Sequence, residues 1–227
     1  MLRTLIVPLV CCWMFIAVTS TVGQSPLLLF HSKQLADWDF YVDKEDVKVE
    51  DVFTFTDDRL LCKGKPFGYL ATKESYKNFK FSVEWRWGTE PTNSGIFLKI
   101  TDQPKGAFLP KAVEVQLQHK NVGDIWAFYG RTIIEPANRL ESRENEAIGK
   151  FMGVRKILDA ELPVLPQRLE CPWNRMEVLC VDSLIVVVVN GAIVNWTTGA
   201  EAIEGRIGFQ SEGGPIEFRN AMLTVLP

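Results

Sequence analysis

The spacing of apolar residues from Val52 onward constrains the fold of this chain more than any other feature. Short apolar or alternating runs recur there, turn residues separate them, and long amphipathic helical stretches are absent. The clearest pair of runs, Leu184 to Val189 and Ala192 to Trp196, is joined by Asn190-Gly191, a dipeptide that supplies the positive φ angles of a type I′ turn. The pattern predicts an all-β protein.

The run from Phe79 to Trp87 alternates aromatic or apolar with mostly charged side chains, which indicates one face in a core and one in solvent. Trp85 and Trp87 are therefore expected in the core. Trp173 is expected there as well, because burial of aromatic residues dominates the energetics of a sandwich. Further strands are predicted at Val52 to Thr56, Arg59 to Lys63, Gly68 to Thr72, Ser94 to Ile100, Ala112 to Gln118, Trp173 to Val181, Arg206 to Ser211 and Pro215 to Val225. This number of strands suffices for two packed sheets. The long charged stretch between Tyr129 and Pro172 is predicted to be a functional or mobile connection.

The amino-terminal segment, residues 1–23, is predicted to be a signal peptide. Arg3 precedes an apolar run from Leu5 to Val18, and small polar residues follow. The run is shorter than the roughly 20 residues that a transmembrane helix requires. We expect an exported protein, periplasmic or secreted, with no stable membrane insertion after cleavage. Residues 24–227 suit one domain, because β domains commonly reach roughly 200 to 250 residues.

Charge and cysteine content narrow the function classes. The formal net charge of −3 gives no electrostatic reason to expect nucleic acid as a partner. Cys62, Cys171 and Cys180 remain after signal cleavage, and this odd number is compatible with one disulfide and a free thiol or with buried inert thiols. The chain has no C-x-x-C pair, which argues against a zinc knuckle or a redox dithiol.

The segment from Glu114 to His119 is the main candidate for a site. On a strand, Glu114, Gln116 and Gln118 share one face, while Val113, Val115 and Leu117 face a core. A polar row of this kind is typical of the floor of a sugar site. Its spacing is similar to the E-x-D-x-x-E signature of jelly-roll glucanases, but the aspartate and the last glutamate are replaced, so ordinary glucan cleavage by two carboxylates is disfavoured.

Several segments, in order between Asp37 and Leu226, resemble the 3-keto-disaccharide hydrolase domain family. They are Gly68-Tyr69-Leu70-Ala71-Thr72, Tyr76-Lys77-Asn78-Phe79, Glu84-Trp85-Arg86, Asn93-Ser94-Gly95-Ile96-Phe97, Glu114-Val115-Gln116, Gly123-Asp124-Ile125-Trp126, Pro172-Trp173-Asn174, Asn190-Gly191 and the run from Gly208 to Asn220. The resemblance implies a concanavalin-like jelly roll that acts on glycosides oxidised at carbon 3 in exported bacterial carbohydrate catabolism. Members are viewed as hydrolases or as lyases, and both alternatives stay open. The family commonly has an apolar residue and an aspartate where this chain has Gln118-His119.

Cleavage of such a glycoside by elimination requires a base, an acid and a stabiliser of the enolate. Glu114 is the candidate base, His119 the candidate acid, and Arg86 or Arg219 the candidate that holds the enolate oxygen. Further candidates for substrate binding are Glu84, Asn93, Gln116, Asp124, Trp126, Gln210 and Glu212. Trp126, in a loop-like context, could stack on a sugar ring, with burial in the core as the alternative. No cofactor is required, but a divalent cation on Glu114, His119 and Asp124 is an alternative.

Structural interpretations compete with several of these roles. On strict alternation His119 points away from Glu114, and the two meet only if the strand ends or bulges between them. Glu84 with Arg86, and Glu217 with Arg219, could be ion pairs on a sheet surface. At the level of the whole protein, a non-catalytic carbohydrate-binding, lectin-like jelly roll is the principal alternative to an enzyme, because one fold hosts both.

Overall fold

The computed structural model describes residues 25–88, 90–146, 148–157 and 173–227, and these residues are nearly all β. The predicted signal peptide and Cys171 lie outside the described residues. The strands are β1 (Leu27–Leu28), β2 (Trp38–Val42), β3 (Phe53–Thr56), β4 (Arg59–Cys62), β5 (Gly68–Thr72), β6 (Phe79–Trp87), β7 (Gly95–Asp102), β8 (Lys111–Gln116), β9 (Ile125–Ala127), β10 (Leu140–Asn145), β11 (Gly149–Val154), β12 (Asn174–Val181), β13 (Leu184–Val189), β14 (Ala192–Thr197), β15 (Arg206–Ser211) and β16 (Ile216–Val225). Short helical segments are α1 (Val49–Val52) and the 3-10 turns Leu35–Asp37 and Ala137–Arg139.

The strands form two antiparallel sheets that pack as a jelly-roll sandwich, which confirms the predicted fold class. Sheet A has the order β14-β13-β12-β6-β16-β4-β3, and β1 also pairs with β16. Sheet B has the order β10-β11-β9-β8-β7-β15-β5-β2. The hairpin predicted around Asn190-Gly191 joins β13 to β14, and both turn residues have positive φ angles.

The charged stretch after Tyr129 differs from the prediction, because it contains two strands. β10 and β11 form a hairpin whose second strand pairs with β9 and so extends sheet B at its edge. The residues of β10 are exposed or half-buried, so the strand carries charges on both faces and lacks the alternation that identifies a half-buried strand. This hairpin brings Arg143 and Phe151 to the cavity described below.

The main core lies between the sheets. From sheet A it contains the alternating residues Phe79, Phe81, Val83 and Trp85, as predicted, and from sheet B the apolar residues of β7, β8 and β9. Trp173 is only half-buried and contacts the guanidinium groups of Arg86 and Arg219 on the outer face of sheet A. The core prediction for this tryptophan is therefore wrong, because it precedes β12 and lies outside the alternating pattern that fills the interior.

A second apolar cluster covers part of the outer face of sheet B. It includes Tyr69, Phe97, Trp126 and Phe128, so this face of the sheet is not simply exposed to solvent.

Cys62 and Cys180 are free and buried, in agreement with the inert-thiol alternative for these two residues. In the described part of the chain, no helix is long and apolar enough to cross a membrane.

Lys99 in β7 is a buried cation that connects the sheet to two loops. Its side chain is 1% exposed, and its ammonium group donates to the carbonyl oxygens of Glu201 at 2.8 Å and Asp182 at 3.3 Å. The substitution Lys99→Met removes these charge-assisted bonds and leaves partly buried carbonyl groups without this donor. We expect the free energy of unfolding in urea to fall by about 2 to 4 kcal/mol. Lys80→Met on the exposed face of β6 is the matched control, with an expected change below about 1 kcal/mol.

Candidate functional site

Glu114 is a buried carboxylate on the outer face of sheet B. It lies in the middle of β8, opposite Phe97 of β7 and Trp126 of β9. Val113 and Val115 on either side belong to the core between the sheets, so strand alternation directs Glu114 outward. The outward position is covered by the second apolar cluster, and Glu114 is only 4% exposed. A charged group is thus held in apolar surroundings.

A cavity of about 220 Å³ opens at Glu114. Its apolar wall consists of Phe108, Leu109, Trp126, Phe128, Ile148 and Phe151. Its polar lining consists of Asn93, Glu114, Gln116, Gln118, Gln210 and Glu212, with Arg143 as a basic residue. The predicted shared face of Glu114, Gln116 and Gln118 is confirmed. Gln210 comes from β15, which lies beyond β7 in the same sheet, and Glu212 directly follows that strand.

Gly95 of β7 provides the space for this arrangement. A Cβ atom at this position would overlap Oε1 of Glu114 and would lie 2.9 Å from Oε1 of Gln210. The backbone φ angle of Gly95 is not positive, so the glycine is required by the neighbouring side chains and not by its own conformation. Any other residue would displace Glu114.

Several hydrogen-bond acceptors in the cavity have no donor as a partner. Oδ1 of Asn93 and the Oε1 atoms of Glu114, Gln116 and Gln210 are all buried and have no hydrogen-bond partner. Buried polar atoms are normally paired in a folded protein, so a group of unpaired oxygens that line one cavity indicates a ligand that donates hydrogen bonds. A ligand rich in hydroxyl groups meets this requirement.

The two carboxyl groups of the cavity have raised pKa values. For Glu114, burial raises the pKa well above the ordinary range, and the charge of Glu212 raises it further, while a hydrogen bond with Gln210 acts in the opposite direction. Burial also raises the pKa of Glu212, and a hydrogen bond with Asn93 opposes this effect. Groups with such shifts in a cleft are typical of catalytic sites.

Arg143 is a residue of the site that the sequence analysis did not select. Its guanidinium lies 4.3 Å from the ring centroid of Trp126, and its Nη2 atom lies 2.6 Å from Oε1 of Glu141. Its side chain is 49% exposed, which places it at the mouth of the cavity. Its sequence neighbours are other charged residues of an edge strand, so no local pattern distinguishes it from a solvent-exposed arginine.

Trp126 forms part of the cavity wall, but it is not in a loop. It belongs to β9 and is 4% exposed. A Cβ atom at Gly153 would overlap its ring, so the backbone of β11 packs closely against it, and the guanidinium of Arg143 covers it. The ring is therefore enclosed and differs from the open stacking platform that the sequence predicts.

The structure does not bring Glu84, Arg86 or Arg219 to Glu114. They lie on the outer face of sheet A, on the opposite side of the sandwich, because β6 and β16 both belong to that sheet. Nε of Arg219 lies 2.7 Å from Oε2 of Glu84, and Nη2 of Arg86 lies 2.9 Å from Oε1 of Glu217. These residues form surface ion pairs, as the structural interpretation predicts, but the partners are exchanged: Glu84 pairs with Arg219 and Glu217 with Arg86 across β6 and β16. The enolate-binding role has no support from their position.

His119 and Asp124 also lie outside the cavity lining. β8 ends at Gln116, and the backbone N–H of His119 donates to the carbonyl of Thr92 at 2.8 Å. Asp124 is fully buried, accepts a bond from the Lys156 backbone N–H at 2.7 Å and pairs with Nη1 of Arg155 at 2.7 Å. The carboxylate of Asp124 is thus already engaged by these two partners.

The cation site proposed from sequence does not assemble, because Glu114, His119 and Asp124 do not converge. Across the described ranges, no three His, Cys, Asp or Glu side chains gather in an arrangement that could hold a metal ion. The oxygen donors that a cation could meet in the cavity are the carboxylates of Glu114 and Glu212 and the amides of Gln116 and Gln210.

Solved structures with the same fold come from carbohydrate-related proteins. A candidate glycosyl hydrolase from Parabacteroides distasonis ATCC 8503 is 20% identical, with a TM-score of 0.58 over 89% of this chain and 100% of that chain. The carbohydrate-binding module CBM66 from Bacillus subtilis is 9% identical, with a TM-score of 0.53 over 83% of this chain and 95% of that chain. The exoplasmic/lumenal domain of VIP36, in a form bound to Ca²⁺ and Man3GlcNAc, is 12% identical, with a TM-score of 0.53 over 89% of this chain and 88% of that chain. At these identities the similarity establishes the fold alone.

Sequence comparison identifies the family. No curated protein matches the chain. A family model, described as the 3-keto-alpha-glucoside-1,2-lyase-like domain, matches residues 26–224 and so covers the whole sandwich. The family that the ordered set of segments in the sequence suggests is thereby confirmed. The chain belongs to the 3-keto-alpha-glucoside-1,2-lyase-like domain family.

Proposed function

We propose that this protein cleaves glycosides whose glucose unit carries a ketone at carbon 3, with Glu114 as the base that removes the proton from carbon 2. The observation that carries the proposal is the buried carboxylate of Glu114, whose Oε1 atom has no hydrogen-bond partner, in a cavity whose other free acceptors suit sugar hydroxyls. The description of the family, which refers to 3-keto-alpha-glucosides and to a 1,2-lyase, supports the same substrate. We also propose that the protein acts after export.

The chemistry explains why one buried carboxylate is useful. A ketone at carbon 3 acidifies the hydrogen on carbon 2, so a base can remove it as a proton. The electrons of the broken C–H bond then form a double bond between carbons 1 and 2, and the bond between carbon 1 and the glycosidic oxygen breaks. Burial raises the pKa of Glu114 and so makes its carboxylate a stronger base than an exposed glutamate. Later addition of water to the double bond would give hydrolysis.

Arg143 provides the positive charge that this reaction needs near the enolate. It is the basic residue among the described residues that line the cavity, and it takes the role that sequence analysis assigned to Arg86 or Arg219. Because Arg143 is 49% exposed and pairs with Glu141, it would stabilise the developing negative charge from the mouth of the cavity, less strongly than a group shielded from water. The amides of Asn93, Gln116 and Gln210 would accept bonds from the sugar hydroxyls and fix the ring.

A second candidate function is hydrolysis of ordinary, unoxidised glycosides. Sequence spacing around Glu114 argues against it, but the structure brings a second carboxylate, Glu212, into the same cavity. Two carboxylates on one cavity are the minimum that ordinary glycoside hydrolysis requires. A third candidate, carbohydrate binding without catalysis, is consistent with the fold shared with a carbohydrate-binding module.

Product analysis separates these candidates. The protein is incubated with a chromogenic 3-keto-glucoside, with the matching unoxidised glucoside and with plain oligosaccharides, and products are identified by mass spectrometry and NMR. We expect release only from the 3-keto-glucoside, as an unsaturated sugar or as free 3-keto-glucose. Release from the unoxidised glucoside would support the second candidate. Binding of oligosaccharides with no release from any substrate would support the third.

The outer face of sheet A offers control variants for the same assay. We expect Arg86→Gln and Arg219→Gln to retain turnover within about twofold, because these arginines lie across the sandwich from Glu114 and surface ion pairs contribute only about 0 to 1 kcal/mol. Turnover of the 3-keto-glucoside by each variant, with its melting temperature as a check on folding, measures this. A loss of tenfold or more in either folded variant would mean that the substrate contacts sheet A.

A further inference from the structure

Glu212 lies at the junction of two cavities. It directly follows β15 and lines the cavity of Glu114. It also lines a neighbouring cavity of about 520 Å³, whose other walls are the segments 43–44 and 64–67 and Gly213. A substrate whose oxidised sugar lies beside Glu114 and whose remaining part lies in the neighbouring cavity would pass Glu212 at the bond between the two parts.

The position of Glu212 is fixed by the segment that precedes β7. The side chain of Asn93 hydrogen bonds to its carboxyl group. The turn that contains Glu212 is held in place by the two residues that follow it. The N–H of Gly214 donates to Oγ1 of Thr92 at 2.9 Å, and Gly213 packs so closely against the same hydroxyl that a Cβ atom would overlap it. Gly213 has a φ angle of +78°, which favours glycine. The carboxyl group is therefore held in place before a ligand arrives.

Glu114 and Glu212 together form a base and an acid. Two carboxylates in one partly buried cavity repel each other, so the pair retains one proton over a range of pH in which isolated carboxyl groups would both be ionised. Glu114 is the more deeply buried of the two and therefore the stronger base, whereas Glu212 is half-buried and the stronger acid. The reactive form is the one in which Glu212 holds the shared proton and Glu114 is ionised. Because Glu114 holds a proton better, this form is the less populated of the two, and the reaction ends with the proton on Glu114.

We propose that Glu212 is the catalytic acid that protonates the departing glycosidic oxygen, with the leaving group seated in the neighbouring cavity. This inference rests on the proposed function. In the step, Glu114 accepts the proton of carbon 2, the bond from carbon 1 to the glycosidic oxygen breaks, and Glu212 gives its proton to that oxygen. The products are an unsaturated 3-keto sugar and a free alcohol, with Glu114 protonated and Glu212 ionised. Return of one proton from Glu114 to Glu212 restores the enzyme without any other reactant.

The neighbouring cavity suits a leaving group that is a second sugar or another hydroxylated ring. Phe67 contributes a half-buried aromatic ring, which packs edge-on against Phe108 at 4.9 Å between centroids. Lys44 and Lys65 contribute exposed ammonium groups that can donate to hydroxyl oxygens. Phe108 also lines the cavity of Glu114, so the two cavities share this wall.

The test compares two 3-keto-glucosides that differ only in the leaving group. A nitrophenolate departs without protonation, whereas an alkyl alcohol requires an acid. For Glu212→Gln we expect turnover of the alkyl 3-keto-glucoside to fall by about 10² to 10⁴ and turnover of the nitrophenyl 3-keto-glucoside to fall by less than about tenfold. Exchange of the carbon 2 hydrogen with D₂O, followed by NMR on the alkyl substrate, should persist in the variant, because Glu114 is intact.

Glu177→Gln, which removes an ion-paired carboxylate on the outer face of sheet A, is the matched control and should behave as the wild type. Equal losses on both substrates, or no loss on the alkyl substrate, would overturn the role of Glu212 as the acid. If Glu212→Gln fails to fold, Glu212→Asp retains an acid and should give a smaller loss with the same dependence on the leaving group. If the wild type cleaves neither 3-keto-glucoside, it is the proposed function that fails.

Discussion

Replacing Glu114 with glutamine is expected to lower turnover of a 3-keto-glucoside by about a thousandfold, because the amide has the shape of the carboxylate but cannot accept the carbon 2 proton. The affinity for the substrate should change little, since the free acceptors on Asn93 and Gln116 remain in place. Steady-state kinetics and a binding measurement by calorimetry give the two values. A variant that retains at least a tenth of the wild-type turnover would exclude Glu114 as the base.

The same substitution is expected to stabilise the protein. Folding raises the pKa of Glu114 above the ordinary value of 4.5, so the folded state binds this proton more tightly than the unfolded state. The free energy of unfolding of the wild type therefore falls as pH rises from about that value through the folded-state pKa. Glu114→Gln does not titrate, and its amide can donate to the unpaired Oε1 of Gln210.

The stability difference between Glu114→Gln and the wild type should thus be small in acid and should grow with pH to about 1 to 3 kcal/mol. Urea unfolding over a series of pH values measures it. Turnover of a nitrophenyl 3-keto-glucoside, which needs no acid, should show the matching trend, with the rate rising as pH increases through the raised pKa of Glu114, because only the ionised carboxylate is a base. A variant that is less stable than the wild type at alkaline pH would contradict the raised pKa of Glu114.

Gly95→Ala is also expected to lower activity strongly, although it adds only one methyl group. The added methyl group overlaps Oε1 of Glu114 and approaches Oε1 of Gln210, so the base must move from its position. Displacement of a catalytic group by about 1 Å can lower the rate by about a hundredfold, and we expect a loss of this size in kcat/KM. The loss in stability should be modest, because the new methyl group meets the ends of side chains and not backbone.

Gly208→Ala provides the matched control for Gly95→Ala. Gly208 lies on the adjacent β15, opposite Phe97, and its added methyl group would meet Cδ1 of Ile100 at 2.8 Å. This contact is with an apolar side chain outside the cavity, so turnover should be nearly unchanged. If both alanine variants lose activity to the same extent, the effect of Gly95→Ala comes from general strain in sheet B and not from displacement of Glu114.

The sequence predicted most of the sandwich and the centre of the site from local alternation. The strands β5, β6, β13 and β15 have the predicted bounds, because each has a clear period of two or is flanked by turn residues. The same period correctly placed Glu114, Gln116 and Gln118 on one face. Which sheet a strand joins is set by long-range pairing, and for that reason Arg86 and Arg219 were assigned to the wrong side of the sandwich.

The remaining parts of the site depend on contacts that local sequence does not encode. Arg143 reaches the cavity only because β10 and β11 extend sheet B, and its stretch of charges has the pattern of a solvated loop. Glu212 acquires its position from the contacts of Thr92 and Asn93 with the turn after β15, more than a hundred residues later in the chain. The requirement for glycine at position 95 becomes visible only when β7, β8 and β15 are side by side.

A 3-keto-glucoside labelled with deuterium at carbon 2 provides the most direct test of the claim that Glu114 starts the reaction by removing a proton there. After incubation with the wild-type protein in ordinary water, NMR of the released sugar should show that the deuterium has been lost to the solvent, and turnover should be slower than with the unlabelled compound. The folded Glu114→Gln variant should release neither sugar nor deuterium. Cleavage by the wild type with the deuterium fully retained at carbon 2 would contradict the account.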